Sequence, residues 1–118
     1  MEDRVKNSIR VFDNIAIRDD KIHYPDAQAT WVDGFKVDRV VFGVTNDLDQ
    51  NVSVQPIGRA GAAQGNLGSA TTINAGAEGI VSLDLGSYWS PWISVSIKAS
   101  ASPSSGRISI YAIFKERR

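Results

Sequence analysis

Apolar side chains recur at every second position along much of this chain. Ile93, Val95, Ile97 and Ala99 alternate with Ser94, Ser96, Lys98 and Ser100. Ile108, Ile110, Ala112 and Phe114 alternate with Ser109, Tyr111 and Ile113, and Val52 and Val54 alternate with Asn51, Ser53 and Gln55. A period of two puts successive side chains on opposite faces, so each stretch reads as an antiparallel strand with one face inward. Ile15 with Ile17, and Val81 with Leu83 and Leu85, give two more. Weaker strands are expected around Val11, around Thr30–Val32 and around Thr71–Ile73. In a further stretch Phe35, Val37, Arg39, Val41 and Gly43 share one face, and Lys36, Asp38, Val40, Phe42 and Val44 the other. Its charges sit at the start and its second half is apolar on both faces. That is how a strand looks when it runs from an edge into the middle of a sandwich.

Turn chemistry falls between these stretches. Asn46-Asp47-Leu48-Asp49-Gln50-Asn51 is rich in side chains that bond their own backbone. In Ser102-Pro103-Ser104-Ser105-Gly106, Pro103 restricts φ and Gly106 tolerates a positive value, so the segment reads as a hairpin between the last two strands. On that reading Ile93, Val95, Ile97, Ile108, Ile110 and Phe114 form paired central strands of the core. Gly58 to Gly68 holds too many glycines and alanines to pack a strand face and reads as a long loop. No window keeps a period of 3.6, and residues 1–10 read as an arm or an edge strand. About eight short strands joined by turns predict an all-β fold, an antiparallel β-sandwich of jelly-roll-like type, forming one domain over residues 1–118.

Charge changes this picture in two ways. The 13 basic and 13 acidic residues cancel, whereas a protein that neutralises phosphates carries a basic excess, so nucleic acid is not an expected partner. The halves differ, however. Residues 1–50 hold 7 Lys/Arg against 10 Asp/Glu, and residues 51–118 hold 6 against 3. Between Gln50 and Lys98 the charges are Arg59, Glu78 and Asp84 alone. A stretch so free of charge lacks the usual protection against edge pairing and sticky patches. A homo-oligomer, a dimer or trimer, is therefore expected, with the acidic half of one subunit against Lys115, Arg117 and Arg118 of another. There are no cysteines, so neither disulfides nor thiolate metal sites enter. The first residues, Met1-Glu2-Asp3-Arg4-Val5-Lys6-Asn7, contain no apolar core of a secretory signal, and no run is long enough to span a bilayer as a helix. Synthesis in the cytoplasm and no membrane partner are the expectations.

Candidate chemistry is sparse. A Ser-His-Asp site would have to use the single His, His23, and no serine sits in a G-x-S-x-G elbow. Asp47-x-Asp49-x-Asn51 opens like an EF-hand loop, but the sixth position is Val52 and the twelfth Gly58. Asp19, Asp20, His23 and Asp26 form an acidic cluster that reads as a solvated loop. Gly61 to Gly68 lacks the Gly-Lys-Ser/Thr of a phosphate loop. No catalytic residue, no metal and no cofactor is assigned, and no enzymatic activity is expected. Large rings do stand out. Tyr88, Trp89 and Trp92 fall within five positions, and Trp31 is the third Trp. Rings of this kind can plug the end of a sandwich, anchor a subunit interface, or form a stacking platform for a glycan.

The turn Asn46-Asp47-Leu48-Asp49-Gln50-Asn51-Val52-Ser53-Val54-Gln55 resembles a pattern of small phage and virus-like structural proteins. So do Ser90-Pro91-Trp92-Ile93-Ser94-Val95 and the later Ala101-Ser102-Pro103-Ser104-Ser105-Gly106. The resemblance covers about Val40 to Phe114. It implies a β-sandwich that acts by assembly, as a decoration, tail or capsid-associated module of a virion. It implies other particle proteins as partners and carries no catalytic residues. A carbohydrate-binding module built on the aromatic rings is the alternative.

Overall fold

The structure, a computed structural model, describes residues 8–25 and 28–117, with Gln28 described by its backbone alone. Among the described residues nine strands run in chain order: β1 Ser8–Ile15, β2 Val32–Asp33, β3 Val37–Asn46, β4 Val52–Ala60, β5 Ala63–Asn66, β6 Thr71–Ile73, β7 Ala77–Leu83, β8 Trp92–Ala99 and β9 Ile108–Glu116. One 3-10 turn, Gln28–Thr30, precedes β2. They form a four-stranded sheet of order β1-β9-β3-β7 and a five-stranded sheet of order β2-β8-β4-β5, in which β6 also pairs β4. All pairings are antiparallel.

The pairing is nested. β1 pairs β9, β2 pairs β8, β3 pairs β7, and β4 pairs β5 and β6. The chain is thus one long hairpin rolled into two sheets, which is the jelly-roll arrangement. It has eight strand places, and the ninth strand arises because the partner of β4 is split into β5 and β6. The tip of the long hairpin is Gly61-Ala62, with Gly61 at φ +61°. A glycine in that conformation at the first turn position suits the twist of a two-residue hairpin.

Gly58 to Gly68 is therefore strand and hairpin, not a loop. Its side chains indeed cannot pack a face, and β5 is exposed throughout. Main-chain hydrogen bonds to β4 need no side chains, and at the margin of a sheet they suffice. The paired central strands expected from the last hairpin also need correction. β8 and β9 lie in different sheets, and Ser102–Gly106 carries the chain across from one to the other. The crossing leans on the earlier crossing between β3 and β4. Asp47 N–H donates to the Arg107 carbonyl at 2.9 Å, and Asp49 N–H to Ser105 at 3.3 Å. Gly106 sits at φ +91°, where a Cβ would lie 1.9 Å from the Asp47 carbonyl oxygen. The glycine serves this close approach rather than a hairpin turn.

Ile93, Val95, Ile97 and Ala99 of β8 face Ile108, Ile110 and Ala112 of β9 across the core, together with Val40, Phe42 and Val44 of β3 and Val52 and Val54 of β4. Phe114 is half-buried against the same cluster. β1 ends at Ile15, so Ile17 is a buried loop residue, and Leu85 lies beyond the end of β7. A register shift between Val37 and Arg39 lets Val37 turn inward with Val40, which breaks the alternation expected from Phe35. Of the expected arm, Ser8 to Arg10 belongs to β1, and residues 1–7 lie outside the described part. No helix among the described residues is long and apolar enough to cross a membrane.

Candidate functional site

Sequence pointed to the aromatic rings, and the structure separates them. Trp31 is buried, at 3% exposure, on the outer face of the five-stranded sheet, with the Arg59 guanidinium 4.5 Å from its ring centre. Its Nε1 has no hydrogen-bond partner among the described residues. Trp92 is half-buried and shares this face, opposite Asp33 on one side and Arg59 on the other. Trp89 is half-exposed on the loop before β8. Its Nε1–H donates to the Gly34 carbonyl at 2.9 Å, and its ring meets Phe35 edge-on at 5.0 Å. Tyr88 is exposed and lies over Gly68. The ring pair found among the described residues is thus Trp89 with Phe35, and the four rings do not form one flat platform. Trp89 borders a groove of about 350 Å³ whose other side is the β4–β5 hairpin, where the small residues Gly58, Ala60, Ala63 and Gly65 are joined by Gln64, Asn66 and Leu67.

The middle of the outer face of the five-stranded sheet is covered by its own chain. Ile57, Ser94 and Ser96 point outward by register, yet all are buried. Ser94 Oγ–H donates to the Thr30 carbonyl at 2.9 Å, which draws the segment before β2 onto this face. His23 adds an isolated pair of backbone bonds to Ile97, sealing part of the β8 edge.

The outer face of the four-stranded sheet is open. Register places Ile80, Gly43, Tyr111 and Arg10 in one row across β7, β3, β9 and β1, and Ser82, Val41, Ile113 and Ser8 in the next. Ile80 is 70% exposed and Ile113 43%. Gly43 leaves a gap between them, since no atom lies within 4 Å of where its Cβ would be. The result is a broad groove of about 810 Å³ lined by Gly43, Thr45, Glu78, Ile80, Tyr111 and Ile113. Arg39 and Lys115 face each other at one end of this surface, and Glu78 lies toward the other. The Arg10 guanidinium sits 5.7 Å from the Tyr111 ring centre.

Sequence reasoning missed this groove. Its signal was the doubly apolar half of β3, which read as burial on both sides. The outward row of β9, Tyr111 and Ile113, is itself apolar. A face can be apolar because it is buried in the chain's own core or because something else covers it, and alternation does not distinguish the two.

The acidic groups have partners within the fold. Asp49 accepts from the Ser104 N–H at 3.0 Å and from the Ser104 hydroxyl, which hold its carboxyl below the ordinary carboxylate value. Asn51 accepts from Ala75 N–H, so Asp49 and Asn51 turn to different neighbours rather than to one ion. Asp19 meets His23 Nε2 at 2.8 Å and accepts from Lys21 N–H. The His23 bond is the larger cause holding the Asp19 carboxyl low. Asp26 lies outside the described residues. No group of three or more acidic or His side chains among the described residues is arranged to hold a metal ion. Asn46 is fully buried and ties three segments together, its Nδ2 donating to the carbonyls of Gln50, Ile73 and Asn74. Near the C-terminus, Arg117 pairs with Asp38 of its own chain at 3.4 Å, and Arg118 lies outside the described residues.

Fold and surface together define a jelly-roll β-sandwich with one open apolar sheet face. No protein-family model matches the chain, and no curated protein matches it.

Proposed function

We propose that this protein is a non-enzymatic structural or assembly module that works by associating with copies of itself, on a virion or a similar particle. The observation that carries the reading is the open apolar face around Gly43, Ile80, Tyr111 and Ile113. Exposed apolar patches of this kind mark surfaces that another molecule covers. The resemblance to small phage structural proteins adds to it. Two of the three segments that carry the resemblance, 46–55 and 101–106, are bonded to each other through Asp49 and Ser104. Other particle proteins are the further partners this reading implies. Sedimentation at micromolar concentration tests it: the expected species has two or three times the chain mass of 12.8 kDa. A single species at the chain mass in both low and moderate salt contradicts it.

A second reading rests on Trp89. A half-exposed indole held by Gly34 and Phe35 beside a shelf of small residues is a surface on which a sugar ring could stack. The burial of Trp31 removes one ring from the set that sequence suggested for it. Binding on a glycan array that is lost in Trp89→Ala would favour this reading, and an empty array counts against it.

A further inference from the structure

The edges of the two sheets are not equally protected. β1 has register shifts on both sides of Phe12, carries Arg10 and Asp13, and turns through Asn14 at φ 51°. β2 is two residues long, and His23 occupies more of the same side of β8. β5 and β6, four and three residues long, share the remaining edge. Bulges, charges and short strands are the usual means of blocking edge-to-edge pairing. β7 has none of the structural ones. It runs seven residues in unbroken register with β3, from Leu83 opposite Val40 to Ala77 opposite Asn46. Its one charge is Glu78, and no strand among the described residues pairs with its outer side.

Resting on the self-association reading, we propose that β7 pairs antiparallel with β7 of a second copy across a two-fold axis. The occupant is chosen by the strand itself. Full overlap of a seven-residue strand with its own copy puts its midpoint, Ile80, on the axis, and Ile80 is the most exposed large apolar side chain among the described residues. In that register Glu78 lies opposite Ser82 of the second copy, so no like charges meet, and both residues are on the outer face. The pairing joins the two four-stranded sheets into one continuous sheet and satisfies the free main-chain groups of both edges. It also makes the two open grooves continuous, with Ile80 against its own copy between them. An interface that maps onto itself is the normal basis of a closed dimer.

The register makes the test specific. Ile80 and Ser82 are exposed, so charged substitutions there leave the core intact. Sedimentation of the full chain compares wild type with four variants, and circular dichroism verifies that each is folded. Wild type runs at twice 12.8 kDa. Ile80→Lys, which sets two ammonium groups side by side on the axis, weakens association by about tenfold or more, and Ser82→Glu, facing Glu78 twice per dimer, by about fivefold. Adding Glu78→Lys to Ser82→Glu restores association, because each new pair is then of opposite sign. Gln64→Lys on β5 changes nothing. A wild type that sediments at the chain mass overturns both this inference and the self-association reading. An oligomer that Ile80→Lys weakens but Ser82→Glu leaves unchanged, or that none of the variants affects, overturns edge pairing while the self-association reading stands.

Discussion

The two sheets of this sandwich share one core but end in different outer faces. On the five-stranded sheet the outward residues Ile57, Ser94 and Ser96 are buried, and the segment through Thr30 and Trp31 lies on them. On the four-stranded sheet the outward residues Ile80 and Ile113 are exposed beside the gap at Gly43. Antiparallel sheets commonly leave one face to water, and that face is normally polar. Here Ile57 and Trp31 on the covered face are buried by the chain itself, whereas Ile80 and Ile113 on the open face stay exposed among polar neighbours such as Ser82 and Glu78. The covered face thus belongs to folding, and the open face is the one on which the proposed self-association rests.

The largest effect should separate the two faces directly. Trp31→Ala empties a buried site and should cost about 3–5 kcal/mol in denaturant unfolding, whereas Ile113→Ser on the open face should cost about 1 kcal/mol or less in the isolated chain. Equal costs would erase the distinction. The inner faces should show no such asymmetry. Ile97→Ala in β8 and Ile110→Ala in β9 should each cost about 2–5 kcal/mol, since both side chains are fully buried in one cluster. A loss under about 0.5 kcal/mol at either would place that residue on the wrong face of its strand.

How much of this was legible in sequence follows from what alternation measures. It reports which side chains can share a face, so β8 and β9 were placed with correct inward residues at Ile93, Val95, Ile97, Ile108 and Ile110. It does not report which strands pair, so Ser102–Gly106 read as a hairpin although it crosses between sheets. The reason for Gly106 is a contact with Asp47, far away in the chain. β5 was invisible for the opposite reason: its pairing is carried by main-chain bonds, and its side chains hold no pattern. At the candidate site, Trp31, Tyr88, Trp89 and Trp92 were found by composition, but proximity in sequence did not imply a common direction. Ile80, Tyr111 and Ile113 were visible as residues, yet only the pairing of β7, β3 and β9 brings them together.

Smaller effects test the end of the sandwich that both sheets share. Asn46→Ala removes a buried amide whose two N–H groups are shared among three carbonyls and should cost about 1–3 kcal/mol, with Asn46→Asp no better because a carboxylate cannot donate to the carbonyls of Gln50, Ile73 and Asn74. The Asp49 carboxyl offers a pH test of the same end. Its value in the folded chain is lowered by the Ser104 hydroxyl and amide, so the unfolded chain takes up that proton more readily. The stabilisation is whole above the ordinary carboxylate range and is lost as pH falls through the lowered folded value. Ser104→Ala should lower stability slightly at neutral pH and leave it unchanged below the lowered folded value, which flattens the acid limb of the profile. A loss that is the same at every pH would contradict that origin.

The central proposal is that a second copy extends the open sheet edge to edge, along β7. Amide hydrogen exchange at two protein concentrations tests it most directly, because β7 and β1 are opposite edges of the same sheet and serve as each other's control. The expected result is that amides of β7, from Ala77 to Leu83, become more protected as concentration rises, while those of β1 do not. Protection along β7 that is the same at both concentrations, when sedimentation shows the chain passing from monomer to oligomer between them, would contradict the proposal.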